Sequence, residues 1–125
     1  MYRILIVIER EIFKAELVDC ETSRNILSLL PVQGKVNLWG EEIYFPIPLE
    51  MSLEGDARTD VEIGDLGYWP DGPAFCIFFG PTPASRDSCP KAYSPVTVIG
   101  RFLDDPTRLK VIHDGAKILV QKHGE

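Results

Sequence analysis

Val61-Glu62-Ile63-Gly64-Asp65-Leu66-Gly67-Tyr68-Trp69-Pro70-Asp71-Gly72-Pro73-Ala74-Phe75-Cys76-Ile77-Phe78-Phe79 reads as two strands and the turn between them. Residues 61–69 alternate with the period of two that marks a strand with unlike faces. Asp71-Gly72 is a hairpin signal, because both residue types accept positive φ. Residues 74–79 carry no charged or hydroxyl side chain. A strand of that composition has to be buried on both faces, and this demands a sheet covered on two sides.

The pattern continues outward from this hairpin. Residues 2–8 form an apolar strand, and residues 12–18 place Phe13, Ala15 and Leu17 on one face as its antiparallel partner with one wet face. Left unpaired, that second strand offers an edge through which two copies can join as a homodimer. In residues 22–30 the period changes: Ile26, Leu27 and Leu30 share a helical face, Thr22 is the expected N-cap, and Pro31 stops the helix. Residues 35–39 and 42–47 are strands separated by Gly40, and residues 51–58 read as a turn region. A long loop, 80–95, holds Pro81, Pro83, Pro90 and Pro95, and a loop of that length is often functional. Residues 96–103 are a strand in which Gly100 marks a bulge or a close backbone approach. Asp105-Pro106 opens a helical turn, and residues 111–112 and 116–120 pair across Asp114-Gly115. The tail, 121–125, is polar and expected to fray. About eight short strands, one α-helix and one short helical turn, with turn signals every eight to twelve residues, predict one domain over 1–125. Its expected fold is mainly β, a closed antiparallel eight-stranded barrel.

Composition narrows the function classes. The chain has 125 residues, 19 acidic against 13 basic, with a net charge of −6. Phosphate binding needs clustered cations, so nucleic acid and anionic membrane are not expected partners. No apolar run approaches the ~20 residues of a membrane-spanning helix. The apolar start is cut short by Glu9, Arg10 and Glu11, so it reads as a strand rather than a leader. Cys20, Cys76 and Cys89 are odd in number and form no Cys-x-x-Cys, which predicts reduced thiols in a cytoplasm. Cys76 belongs to an apolar strand as a small core residue. Cys20, Cys89, His113 and His123 lack zinc-ligand spacing, and there is no phosphate-binding Gly loop or nucleophile elbow. No metal or cofactor is therefore implied.

The positive signal is aromatic. Trp39, Tyr44, Phe45, Tyr68, Trp69, Phe75, Phe78 and Phe79 fall in three segments expected to pair in one sheet. Most belong to the core. Trp39, Tyr44, Tyr68 and Trp69 carry a polar atom and lie near strand ends. With Glu42, which faces opposite to its neighbour Glu41 on a strand, they suit a pocket for a small, mainly apolar ligand. The candidate ligand-binding residues are Trp39, Glu42, Tyr44, Tyr68, Phe79 and Thr82.

The order of elements and several stretches resemble the cyclophilin-like proteins of bacteria and archaea, small domains of unknown function. The stretches are Thr22-Ser23-Arg24-Asn25-Ile26-Leu27-Ser28-Leu29-Leu30-Pro31, Lys35-Val36-Asn37-Leu38-Trp39-Gly40-Glu41-Glu42-Ile43-Tyr44-Phe45, Gly64-Asp65-Leu66-Gly67-Tyr68-Trp69-Pro70, Cys76-Ile77-Phe78-Phe79-Gly80-Pro81-Thr82-Pro83 and Val98-Ile99-Gly100-Arg101-Phe102. The resemblance implies a cyclophilin-type barrel trimmed of loops. Cyclophilins isomerise peptidyl-proline bonds with an Arg from a Phe-His-Arg signature on the strand after the first helix. Here that strand reads Val36-Asn37-Leu38-Trp39, without Arg or His. The family's Gln-Phe-Phe is Ile77-Phe78-Phe79, so Phe79 carries over as a pocket wall and the catalytic Arg does not. The expectation is a module that binds a small molecule or short peptide without efficient isomerase activity. Two alternatives stay open. One is a degenerate isomerase with Arg58 or Arg101 as substitute donor. The other is an amide- or carboxyl-processing enzyme using Glu42, by analogy with related barrels.

Overall fold

The computed structural model describes residues 1–124. Strands β1 (Tyr2–Ile8) and β2 (Glu11–Leu17) pair antiparallel, and Ile4, Ile6 and Ile8 bury the same face as Phe13, Ala15 and Leu17. Helix α1 (Glu21–Leu29) follows. Its N-cap is Cys20 rather than Thr22, and no side chain caps it locally. The Thr22 amide instead donates to Glu54 Oε1 at 2.6 Å, a carboxylate from a distant loop. The Thr22 hydroxyl is buried without a partner.

The remaining strands are β3 (Val32–Lys35), β4 (Asn37–Leu38), β5 (Glu42–Pro46), β6 (Ala57–Asp60), β7 (Asp65–Trp69), β8 (Ala74–Phe78), β9 (Lys91–Phe102) and β10 (Lys117–Lys122). They form one ten-stranded antiparallel sheet in the order β3-β10-β1-β2-β9-β7-β8-β5-β4, with β6 also paired to β9. The expected closed eight-stranded barrel is therefore wrong in strand number and in closure. The end strands β3 and β4 are separated only by Val36, so they are successive pieces of one extended segment. In the strand order β3 pairs with β10 and β4 with β5, and no ladder joins the two end strands to each other.

Other boundaries move for local reasons. Residues 57–58, the end of the stretch read as turn, belong to β6 and pair with β9. Strand β9 starts at Lys91 and runs through Pro95, so the expected loop 80–95 ends at residue 90. Residues 111–112 are not a strand: a 3₁₀ helix spans Pro106–Val111, with Asp105 accepting from the Thr107 amide at 3.0 Å. Gln121 and Lys122 belong to β10 rather than to a frayed tail, and Glu125 lies outside the described residues. Strand β2 is paired on both sides, by β1 and β9. The edge on which the homodimer expectation rested is therefore interior to the sheet. The 70–73 turn joins β7 to β8 as expected, but neither Asp71 nor Gly72 has positive φ. Gly72 is needed for space instead, since a Cβ there would stand 2.3 Å from the Trp69 ring.

Strand β8 is buried on both faces, as its composition requires. Phe75, Ile77 and, just past its end, Phe79 enter the main core with Ile4, Ile6, Phe13, Phe45 and Leu66. Ala74, Cys76 and Phe78 turn the other way into a smaller apolar cluster with Val61, Ala92 and Val96. That second cluster is the floor of the site described next.

Candidate functional site

The hairpin from β4 into β5 begins the site. Trp39 and Glu42 exchange both backbone hydrogen bonds across it, at 2.9 and 3.2 Å. Residues directly opposite in an antiparallel pair share a face, so the Trp39 indole and the Glu42 carboxylate stand side by side. Tyr44, two residues along β5, joins them. Glu41 turns elsewhere and faces Lys110 Nζ at 3.6 Å. Next to β5 lies β8, whose Cys76 sits opposite Tyr44. Beyond it, the end of β7 supplies Trp69, whose ring meets that of Tyr44 edge to face at 6.4 Å. Finally, the start of β9 adds Ala92 and Val96, both buried in that floor, and the largely exposed Tyr93.

These residues enclose a cavity of about 180 Å³ lined by Trp39, Glu42, Tyr44, Trp69, Ala92, Tyr93 and Val96. Tyr93 wedges between the two indoles, with centroids 6.0 Å from Trp39 and 6.2 Å from Trp69, both edge to face. The Trp69 indole is anchored from outside: its Nε1 donates to Ser94 Oγ at 2.6 Å, and Ser94 Oγ donates to Asp71 at 2.8 Å. Glu42 is 6% exposed. Burial lifts its carboxyl from 4.5 to about 7, a rise only partly offset by the thiol of Cys76 as a weak donor. The same desolvation, together with the nearby Glu42 charge, drives the Cys76 thiol well above its ordinary range.

Of the six candidate residues, the structure brings Trp39, Glu42 and Tyr44 together. Tyr68 points into the main core, fully buried, where its hydroxyl donates to Leu49 O at 2.5 Å and accepts from the Met51 amide at 3.1 Å. Phe79 also packs in the main core. Thr82 fastens the proline-rich loop: its hydroxyl donates to Lys91 O at 2.5 Å, and its amide donates to Ser85 Oγ at 2.9 Å. Ala92 and Tyr93 were missed because Pro90 and Pro95 made 91–95 read as loop, and Val96, read as the first residue of a strand, was left without the neighbours that set its face. The recurrence of Ala92, Ser94, Val96 and Val98 at period two was the available signal. Tyr68→Phe should cost about 1–2 kcal/mol, because it leaves backbone groups of Leu49 and Met51 short of a partner. Urea unfolding checks this, and an unchanged midpoint would mean that water replaces the phenol.

Arg58 and Arg101 do not line the cavity. Arg58 pairs with Asp56 at 3.0 Å beside a separate polar groove, and Arg101 lies across from Asp65 at 4.0 Å. Among the described residues no group of three or more His, Cys, Asp or Glu is placed to hold a metal, and no helix is long and apolar enough to cross a membrane.

A family model described as Cyclophilin-like matches residues 2–121. The solution structure of the hypothetical protein AF2241 from Archaeoglobus fulgidus is 36% identical, with a TM-score of 0.81, over 97% of this chain and 94% of that one. McbB, solved in complex with tryptophan, is 15% identical with a TM-score of 0.68. That match covers 98% of this chain and 45% of McbB, a likeness of fold alone. No curated protein matches the chain.

Proposed function

The chain belongs to the cyclophilin-like family, and from that premise we propose that it is a binding module: the aromatic cavity takes a small molecule, or the tip of a short peptide, through mainly apolar contacts. The observation that carries this reading is the convergence of Trp39, Tyr44, Trp69 and Tyr93 on one cavity with a single carboxylate, Glu42. Apolar walls with one placed polar group are what small-ligand sites are made of. At about 180 Å³, the cavity lies below the roughly 300–1,000 Å³ of drug-sized sites, so its occupant is compact. Free Cys20, Cys76 and Cys89 accord with a reducing compartment.

The protein is not an efficient prolyl isomerase on this reading. Twisting the prolyl amide requires a preorganised donor aimed at the reacting group, and the cavity lining contains no Arg, Lys or His. Two measurements test the proposal together. Ligand addition should shift the emission of Trp39 and Trp69, while a protease-coupled assay on a proline peptide stays at the uncatalysed rate. Silence across metabolite and peptide libraries would overturn the binding reading, and isomerase turnover lost in Arg58→Ala or Arg101→Ala would replace it.

Glu42 favours a second reading. A carboxyl that titrates near 7 suits proton transfer at neutral pH, so the cavity also fits an amide- or carboxyl-processing enzyme. Turnover of such a substrate that follows the Glu42 titration and vanishes in Glu42→Gln would select this reading over binding alone.

A further inference from the structure

Resting on the reading of this cavity as a binding site, we propose that its ligand is an organic cation, an alkylated ammonium group held among Trp39, Trp69 and Tyr93 with its charge met by the Glu42 carboxylate. Tyr93 meets Trp39 and Trp69 edge to face, at interplanar angles of 80° and 83°, so the rings lie across one another instead of stacking, and all three border the cavity, with Tyr93 on its exposed side. Ring faces carry the negative lobe of the aromatic quadrupole, which attracts a cation and does nothing for an anion. The single indole donor of Trp69 is already bound to Ser94.

Glu42 is the second, independent observation. It is more than nine-tenths buried and opens into the cavity. Its carboxylate meets the Cys76 thiol, a weak donor, and no cation faces it among the described residues. A buried carboxylate without a counter-charge is costly, and a cationic ligand relieves that cost where a neutral one does not. The titratable groups facing it are the Cys76 thiol from β8 and the phenols of Tyr44 and Tyr93 from β5 and β9, none of which can become positive. Asp65, the other buried carboxylate, accepts from the Glu62 amide at 2.9 Å and lies beside Arg101. Because burial holds the Glu42 carboxyl near 7, cation binding expels its proton, and affinity rises with pH.

Calorimetric titration of the full chain with choline and with its neutral isostere 3,3-dimethylbutan-1-ol tests this. At pH 8.5 choline should bind on the order of tenfold tighter than the isostere. Its affinity should fall about tenfold at pH 6, the ratio of ionised Glu42 at the two values. Glu42→Gln should bring choline down to the isostere and remove the pH dependence. Equal binding of both probes by the unaltered protein overturns the cation and leaves the binding site standing. The same holds if neither probe binds while other ligands still shift tryptophan emission. If nothing binds at all, both readings fall. A peptide bearing trimethyl-lysine, titrated alongside, assigns the source: tighter binding than choline points to a protein side chain, weaker binding to a free small molecule, and either order supports the class.

Discussion

Gly100→Ala should destabilise the protein by about 3 kcal/mol or more, at the upper end of what a single added methyl does. A Cβ at Gly100 would lie 2.0 Å from Glu16 O and 2.9 Å from Leu17 Cα. Both obstacles are backbone, so no rotamer change relieves them. Gly100 pairs with Leu17 across the β2–β9 ladder. In the strand order, that ladder alone joins β3, β10, β1 and β2 to β9, β7, β8, β5 and β4. The substitution therefore pries the sheet at its central seam, whereas the same methyl on an outer strand would meet a neighbour able to yield. Urea unfolding of the variant is the measurement, and a midpoint close to that of the parent would mean that β9 slides without loss.

The second large effect belongs to Glu42 and depends on pH. Its carboxyl titrates at about 7 in the folded chain and at 4.5 as the unperturbed group. Between those values the folded protein holds a proton that the unfolded chain has released, so stability falls as pH rises. The contribution of the protonated group is fully present below about 4.5 and is lost by the time pH has passed about 7. The loss is about 3 kcal/mol, from 1.36 kcal/mol per pKa unit. Carboxylates held low by their partners, such as Asp19 and Asp105, act in the opposite sense. The quantity to measure is therefore the stability of the parent minus that of Glu42→Gln, from pH 4 to 8.5. That difference should decline with pH, and a flat difference would place Glu42 in an environment far wetter than its burial indicates.

Much of this was visible in the residues themselves. Residues 74–79, apolar without interruption, announced a strand covered on both sides, and the structure puts alternate members in two separate clusters. Phe13, Ala15 and Leu17 were recognisable as an inward face. Trp39, Glu42 and Tyr44 were recognisable as neighbours because hairpin and strand periodicity bring them together. What escaped depended on partners far away in the chain. Closure is a property of lateral pairing, and nothing in the alternation of Lys35 to Trp39 reveals that two strands, β3 and β4, share that segment while pairing with different neighbours. Thr22 looked like a cap because Glu54, 32 residues away, cannot be seen from the local pattern. Tyr68 looked like a site residue because it carries a polar atom near a strand end, whereas the backbone of Leu49 and Met51 holds its hydroxyl inside the core. Pro90 and Pro95 hid the first part of β9, since proline is a breaker in most strands and is tolerated in this one.

Strand β8 is a party wall. A single thickness of backbone separates the main core from the smaller cluster under the cavity, and odd and even positions answer to different masters. Any change of volume in the smaller cluster, through Cys76 or Phe78, presses on a partition whose other side is Phe75 and Ile77. Natural variants that reshape the chamber should therefore arrive with compensating changes on the far side of the same strand.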